Sequence, residues 1–266
     1  MEGVFAATES ERAFEQYLTQ QKLQWTRLPE TDRPQPDYAV KHERVRCLFE
    51  VKEFDIPTIQ PTGGFDPSPA VREKIHRARR KFGEYKDHPC AVVLWSSKSI
   101  LRTLIPPFVM AAAFGNVIDF GDGFEGDIGD EPLCYAFSGP AALTPSANTT
   151  LSAIVILSSY QLDQVWVEAW RRLSEKIQKG EPTQLSDQFN LTQQVAENFV
   201  GSRYLFQGSL RTILLENPYA RLPFPPDLFM GPFDQRWHLE SGRYRLCFMG
   251  SELTRLKESG VPFVYL

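Results

Sequence analysis

The sequence predicts an α/β fold in which a mixed central sheet is flanked by helices. Continuous apolar runs at Cys90–Trp95 and Ala153–Leu157 are typical of buried strands. Between and around such runs, apolar residues recur at helical spacing, as they do after Ser68. Strands that alternate with amphipathic helices favour a sheet with helices packed on it.

The composition is that of an ordinary globular protein. Of 266 residues, 42% are hydrophobic and 23% are charged, and the formal net charge is −4, so any nucleic-acid contact must be local. No apolar run approaches the roughly 20 residues of a membrane span, and no signal peptide is visible at Met1. Four scattered cysteines predict buried free thiols rather than a disulfide or zinc site. We therefore expect a cytoplasmic protein without a membrane partner.

The first predicted helix begins after Thr8. Thr8 and Glu11 have the spacing of a capping box, and apolar residues follow at helical spacing: Ala13, Phe14, Tyr17 and Leu18. Glu11 and Glu15 share a face beside this stripe. For Glu11 we expect a solvated acid in the first turn, where the helix dipole favours it. Glu15 is either solvated too or a further carboxylate that faces a site.

A predicted β-hairpin then brings two carboxylates and an amine together. Polar residues 41–44 form its turn, and a symmetric turn pairs Asp37 with Leu48. Alternation places Glu50 and Lys52 on the face of Asp37, with Glu50 as its diagonal neighbour at roughly 7–8 Å. The opposite face of the second strand points into a core: Cys47, Phe49 and Val51.

These residue types suit a metal-dependent phosphodiesterase. Two carboxylates at that separation can converge on one hard cation, whose oxygen ligands lie about 2.0–2.1 Å away for Mg²⁺. The cation neutralises a phosphate oxygen and lowers the pKa of bound water, and a neighbouring lysine can orient that water. The alternative is a hairpin with a solvated charged face, because Glu-x-Lys triplets also occur by chance, as at Glu84 to Lys86.

A basic helix is predicted directly after the strand that carries Lys52. Ser68 and Pro69 are typical of a helix start, and the apolar stripe comprises Val71, Ile75, Ala78, Phe82 and Tyr85. We expect the basic residues around it to contact a phosphate backbone in a salt-sensitive way: Arg72, Lys74, Arg77, Arg79, Arg80 and Lys81. A solvated basic face is the alternative. The Pro- and Gly-rich segment 55–67 predicts a loop that could close over substrate.

The remaining chain predicts further elements but no second site. The acidic loop 119–131 is either solvated or competes with nucleic acid for the basic helix. The other predicted elements are helices at 106–114, 162–178 and 186–204, strands at 152–158 and 211–216, and a Pro-rich tail with short strand-like pieces. We therefore divide the chain into a core, residues 1–160, and a helical and Pro-rich C-terminal extension packed on it, residues 161–266.

Residues 9–96 resemble the PD-(D/E)XK nuclease superfamily, which has a restriction-endonuclease-like core, and its uncharacterised bacterial members. The similarity lies in the order of elements and in the Pro36-Asp37 and Glu50-Val51-Lys52 motifs. It implies Asp37, Glu50 and the main-chain carbonyl of Val51 as metal ligands, and Lys52 as the group that positions or polarises the attacking water. It further implies Glu15 as an accessory acid.

The resemblance also implies a Mg²⁺- or Mn²⁺-dependent nuclease that acts on DNA rather than RNA, in restriction, repair or defence. A nuclease without its own motor or specificity module often works as a homodimer or with a partner protein. Two other classes stay open. One is a nuclease-fold protein that binds nucleic acid without hydrolysis, and the other is a protein-interaction component of a larger complex.

Overall fold

A mixed sheet of ten strands organises the part of the chain that the computed structural model describes. The described residues are 7–29, 31, 33–54, 68–95, 106–120, 134–138, 141–159, 172, 175–176, 179–181, 210–240 and 243–258. The predicted α/β class with a mixed sheet is confirmed. No helix within these ranges is long and apolar enough to cross a membrane.

The elements follow one another along the chain with four helices of described bounds. The helices are α1 (Glu9–Gln20), α2 (Ser68–Lys81), α3 (Pro106–Phe114) and α4 (Ser251–Glu258). The strands are β1 (Gln24–Arg27), β2 (Tyr38–His42), β3 (Val45–Glu53), β4 (Cys90–Trp95), β5 (Asn116–Phe120), β6 (Cys134–Ser138), β7 (Ala153–Ser159), β8 (Leu210–Glu216), β9 (Gln235–Glu240) and β10 (Arg243–Met249).

The strand order across the sheet is β1-β2-β3-β4-β7-β8-β9-β10-β6-β5. Strands β3, β4 and β7 are parallel, as are β8 and β9, and the other neighbouring pairs are antiparallel. The order α1, the β2–β3 hairpin, α2 and β4 agrees with the predicted order of elements.

Both faces of the central strands are covered. Helices α2 and α3 pack on one face through Val71, Ile75, Phe82, Val109 and Met110. Helix α1 and the segment 217–234 pack on the other through Phe14, Tyr17, Leu18, Phe224 and Phe229. A strand buried on both faces must be apolar at nearly every position, which explains the fully buried sequence of β4.

Helix α1 begins as predicted. The Thr8 hydroxyl accepts a hydrogen bond from the Glu11 N–H at 3.3 Å, and the Glu11 carboxylate accepts one from the Thr8 N–H at 2.7 Å. These two bonds satisfy donors that the first helical turn cannot pair internally. The predicted apolar stripe is buried against the sheet: Ala13, Phe14, Tyr17 and Leu18.

The helical C-terminal extension is not shown in the described residues. Residues 210–249 instead contribute β8, β9 and β10, which lie between β7 and β6 of the same sheet. Of the predicted helices at 162–178 and 186–204, all but a few isolated positions lie outside the described residues. Strands from both sides of residue 160 therefore belong to one sheet.

A buried arginine organises the Pro-rich segment between β8 and β9. Arg236 is 3% exposed, and its guanidinium donates to the carbonyls of Phe224, Pro225 and Pro226 at 3.2, 2.8 and 2.8 Å. Proline has no N–H and cannot take part in a regular ladder, so carbonyls in such a segment need donors from elsewhere. Arg236 supplies them, and the segment can then pack its aromatic rings beside α1.

The two predicted loops lie largely outside the described residues, and the cysteines differ in burial. Segment 55–67 and most of 119–131 lie outside the described residues, although Asp119 and Phe120 belong to β5. Cys47 and Cys90 are buried free thiols, as predicted. Cys247 is exposed, contrary to the prediction.

Candidate functional site

The β2–β3 hairpin places Asp37 and Glu50 opposite each other. Tyr38 pairs with Phe49, so Asp37, which directly precedes β2, faces Glu50, and its N–H donates to the Phe49 carbonyl at 2.9 Å. The predicted register, with Asp37 opposite Leu48, is wrong by two residues. Because side chains alternate with period two, an even shift leaves every side chain on its predicted face.

The register differs because the turn is shorter than predicted. Strand β2 continues through Lys41 and His42, and only Glu43 and Arg44 form the turn. Glu43 has a φ of 49°, the left-handed region that such a tight reversal requires. The His42 ring lies 2.8 Å from a carboxylate oxygen of Asp227, a contact with a distant part of the chain that local sequence does not reveal.

Lys81, the last residue of α2, joins the two carboxylates. Its Nζ lies 2.9 Å from Asp37 Oδ1 and 2.8 Å from Glu50 Oε1. The amine of Lys52 contacts the same Glu50 oxygen. Asp37 Oδ2 accepts the main-chain N–H of Val51 at 2.8 Å. Asp37, Glu50, Lys52 and Lys81 thus form one group of side chains, here called the carboxylate cluster, on the face of the sheet that α2 covers.

Burial dominates the electrostatics of the carboxylate cluster. The Glu50 side chain is fully buried, whereas the side chains of Asp37, Lys52 and Lys81 are 18%, 22% and 34% exposed. Burial and the charge of Asp37 raise the pKa of Glu50 from 4.5 to about 7, although both lysines act in the opposite direction. Burial lowers the pKa of Lys81, but its bonds to Glu50 and Asp37 outweigh that effect and raise it.

The chemistry of the carboxylate cluster fits a hard divalent cation. Glu50 Oε2 is buried and has no hydrogen-bond partner within the described residues, so it is an acceptor that a cation could satisfy. The Lys81 ammonium demonstrates that Asp37 Oδ1 and Glu50 Oε1 can share one cation. No group of three or more His, Cys, Asp or Glu residues that could hold a metal occurs in the described ranges. The side-chain ligands here would therefore be two carboxylates, with the Val51 carbonyl as a main-chain ligand.

Glu15 does not join the carboxylate cluster. It lies on α1, where its Oε1 accepts a hydrogen bond from the Tyr38 hydroxyl at 2.8 Å and lies 3.8 Å from the Arg27 guanidinium. Tyr38 belongs to the core face that α1 covers, whereas the side chains of Glu50 and Lys52 point to the α2 face. Within the described part of the chain, the contacts of Glu15 are with Tyr38 and Arg27 and not with the carboxylate cluster.

The basic residues of α2 fall into two groups. Arg77, Arg79 and Arg80 are exposed, and Arg77 pairs with Glu73 one turn earlier. Lys74 and Lys81 flank the buried stripe, and the Lys74 amine donates to the Glu53 carbonyl at 3.0 Å. Arg72 is half-buried. The exposed arginines are therefore the residues of α2 that remain most available to a phosphate backbone.

Lys81 is the member of the carboxylate cluster that sequence reasoning missed. Sequence alone places Lys81 among the phosphate contacts. A signal was present, because Lys74 and Lys81 are seven residues apart and border the same buried stripe of α2. Lysines at the edge of a buried stripe can reach inward to a sheet that carries unpaired acids.

No protein-family model, curated protein or solved structure matches the chain. Its function must therefore be inferred from the carboxylate cluster and from the exposed arginines of α2.

Proposed function

We propose that this protein is a metal-dependent nuclease of the restriction-endonuclease-like type, with Mg²⁺ or Mn²⁺ as cofactor and DNA as substrate. One observation carries the proposal. Carboxylate oxygens from two neighbouring chain segments, Asp37 and Glu50, converge on a single cationic group, while the amine of Lys52 contacts the same Glu50 oxygen. The resemblance of residues 9–96 to PD-(D/E)XK nucleases agrees with this proposal, as does a setting in restriction, repair or defence.

Asp37, Glu50 and the Val51 carbonyl would hold the cofactor. A hard divalent cation bound there would supply a charge that neutralises a phosphate oxygen and lowers the pKa of a bound water. The Val51 N–H fixes the orientation of Asp37 through its 2.8 Å bond. Burial keeps bulk water away from Glu50 and therefore strengthens its attraction to a cation.

Lys52 would orient the attacking water. Its amine contacts Glu50, yet its side chain is 22% exposed, so the group lies at the boundary between the buried acid and solvent. Lys52 can therefore donate a hydrogen bond to the water and offset negative charge that develops on the phosphate.

Arg77, Arg79 and Arg80 would position the nucleic acid. They lie exposed on α2, the helix whose last residue is Lys81 of the carboxylate cluster. Guanidinium groups bind phosphate oxygens in a bidentate manner and carry no sequence preference by themselves. We therefore expect backbone contacts that hold the scissile phosphate near Asp37 and Glu50, with a homodimer or a partner protein as the source of any sequence specificity.

One observation favours a second candidate, a protein that binds nucleic acid through this fold without cleaving it. Lys81 and Lys52 together balance the charges of Asp37 and Glu50, so the carboxylate cluster needs no metal ion for charge balance. A lysine that never leaves the two acids would keep the protein catalytically silent. Cleavage assays distinguish the two candidates.

The test incubates linear, circular, single-stranded and double-stranded substrates with Mg²⁺, Mn²⁺ or EDTA. We expect cleavage with either ion and none with EDTA. Asp37→Asn and Lys52→Met should each lose about 100-fold or more in rate, the usual effect of removing a group that stabilises the transition state. The matched control is Glu84→Gln, in the second and exposed Glu-x-Lys triplet, which should retain activity.

Two results would reject the nuclease. One is the absence of cleavage with any substrate and either ion, and the other is full activity in Asp37→Asn. Binding of nucleic acid without any cleavage would support the second candidate.

A further inference from the structure

We infer that Lys81 is a built-in competitor for the divalent-cation site, which must leave Asp37 and Glu50 before a metal ion can bind between them. This inference rests on the proposed function in one respect, the location of the cation site at these two carboxylates. It adds a role for a residue of α2 that lies outside the Asp37, Glu50 and Lys52 motif.

The Lys81 ammonium and a divalent cation would use the same two carboxylate oxygens. The Lys81 Nζ lies 2.9 Å from Asp37 Oδ1 and 2.8 Å from Glu50 Oε1. A divalent cation held by these oxygens would compete with the ammonium for their negative charge, at shorter ligand distances of about 2.0–2.1 Å. Occupation of the site by metal therefore requires the Lys81 side chain to move.

Lys81 is able to move. It ends α2, its side chain is 34% exposed, and a lysine stem has four flexible carbons. Lys52 differs, because within the described residues its amine contacts Glu50 and not Asp37, so it need not leave when a cation is held by the two acids. The arrangement keeps the fully buried Glu50 neutralised at every stage, first by Lys81 and then by the metal, so that no uncompensated charge is left in the core.

The competition predicts that removal of the Lys81 charge tightens metal binding. In Lys81→Met the two carboxylates lose a shared cation, and a divalent ion no longer has to displace it. The test measures Mn²⁺ affinity of the full-length protein by isothermal titration calorimetry, with Mn²⁺ electron paramagnetic resonance as a second readout. We expect Lys81→Met to bind Mn²⁺ at least about tenfold more tightly than the wild type, since each charged hydrogen bond contributes about that factor.

Two controls locate the effect. Lys74→Met removes the same charge two turns earlier on α2, where the amine donates to a main-chain carbonyl, and should leave the Mn²⁺ affinity unchanged. Asp37→Asn should abolish Mn²⁺ binding, both alone and combined with Lys81→Met. Equal or weaker Mn²⁺ binding in Lys81→Met would overturn the inference.

Thermal unfolding gives an independent readout that also detects misfolding. Lys81→Met should unfold at a lower temperature than the wild type without metal, and saturating Mn²⁺ should raise its Tm by more. If Lys81→Met does not fold, Lys81→Gln removes the charge but keeps a polar side chain. An unchanged Mn²⁺ affinity in that variant would equally overturn the inference.

Mn²⁺ binding and cleavage, measured in the same variants, separate competition by Lys81 from nuclease activity. If Asp37→Asn loses both Mn²⁺ binding and cleavage while Lys81→Met binds no tighter, the nuclease stands and the competition is rejected. If Lys81→Met binds Mn²⁺ more tightly but no substrate is cleaved, the competition stands and the nuclease is rejected. Mn²⁺ binding that survives in Asp37→Asn rejects the shared location and therefore the competition.

Discussion

Two buried acids in this protein are stabilised in different ways. Asp234 accepts hydrogen bonds from the Tyr17 hydroxyl, the Thr212 N–H and the Gly231 N–H at 2.7, 2.7 and 2.6 Å, and it has no lysine or arginine among these donors. Glu50 is instead neutralised by two amines on one oxygen, while its other oxygen lacks a partner in the described residues. A buried carboxylate whose oxygens all accept hydrogen bonds from neutral donors is typical of a structural residue. A buried carboxylate with an oxygen that lacks a donor is a candidate for binding a cation.

The buried thiols should resist alkylation. Burial raises the pKa values of Cys47 and Cys90 from 9.0 to about 12, so at pH 8 only about one thiol in 10⁴ is the reactive thiolate. Cys247 is exposed and should react before Cys47 and Cys90. Peptide mapping after brief iodoacetamide treatment measures the order, with the urea-unfolded protein as control. Labelling of Cys47 as fast as Cys247 would contradict the burial of β3.

The same shifts give a pH dependence of stability. The folded state holds both protons more tightly than the unfolded state does, so this contribution to the free energy of unfolding is complete below pH 9. It is lost as the pH rises from 9 toward 12. Urea titrations across this range should give a falling midpoint.

Strand alternation allowed part of the carboxylate cluster to be predicted. Glu50 and Lys52 lie on the same face as Asp37, as predicted, because a register error of two residues does not change the face to which a side chain points. The contacts of Lys81 with Asp37 and Glu50 could not be predicted in the same way, because they depend on how α2 packs across β3. The position of Glu15 on the opposite side of the sheet could not be predicted either, since helical spacing does not tell which face of a sheet a helix covers.

The junction between β10 and α4 is tightly packed. A Cβ atom at Gly250 would clash with the main-chain carbonyls of Gly231 and Pro232. Gly250→Ala should therefore lower the free energy of unfolding in urea by about 1–3 kcal/mol, as overpacking does. Gly83→Ala is the control, because its Cβ would lie 3.6 Å from the nearest atom, the Arg80 carbonyl oxygen. A Gly250→Ala variant as stable as Gly83→Ala would contradict this close approach.

Helix α2 should supply the salt-dependent part of nucleic-acid binding. Alanine at Arg77, Arg79 and Arg80 together should weaken binding and reduce the slope of log K against log salt by up to about 0.9 for each phosphate that is no longer neutralised. Fluorescence anisotropy at several salt concentrations measures both. The control replaces three exposed basic residues around the hairpin turn: Lys41, Arg44 and Arg46. An equal reduction of affinity in both triple variants would indicate a diffuse charge effect rather than a site on α2.

The elements that could be predicted are those whose ends are marked by local sequence signals. The capping box of α1, the Ser-Pro start of α2 and the apolar runs of β4 and β7 agree with the structure. The β2–β3 turn differs from its prediction, because β2 extends through the polar residues Lys41 and His42. The contact between His42 and Asp227 helps to hold this end of the strand. Local propensity does not record such distant contacts.

At the scale of the whole molecule, the sheet needs the C-terminal strands. A fragment that ends at residue 160 would leave β7 without β8 and expose an edge that carries the buried Ile154 and Ile156. We expect this fragment to lack a cooperative urea transition by circular dichroism. A fragment that ends at residue 258 keeps every described strand and should retain the transition. Cooperative unfolding of the shorter fragment would show that residues 1–160 fold alone.

The α/β class was predictable from the alternation of apolar runs and helical patterns, whereas the strand order was not. Residues 235–249 follow a Pro-rich segment and mix charged, aromatic and apolar side chains. This pattern indicates strands but does not indicate which strands they pair with. The packing of Trp237 and the buried guanidinium of Arg236 supply that information through contacts far apart in the chain.

The interleaved order of strands has a consequence for biosynthesis. Strands β5 and β6 emerge from the ribosome before β10, yet β10 is the strand that joins β6 to the rest of the sheet. Translation proceeds at about 5–20 residues per second, so the edge of β6 that pairs with β10 stays unpaired for seconds during synthesis. Nascent chains stalled before β8 should therefore recruit chaperones, and completion of the sheet is an event that follows translation of the last strands.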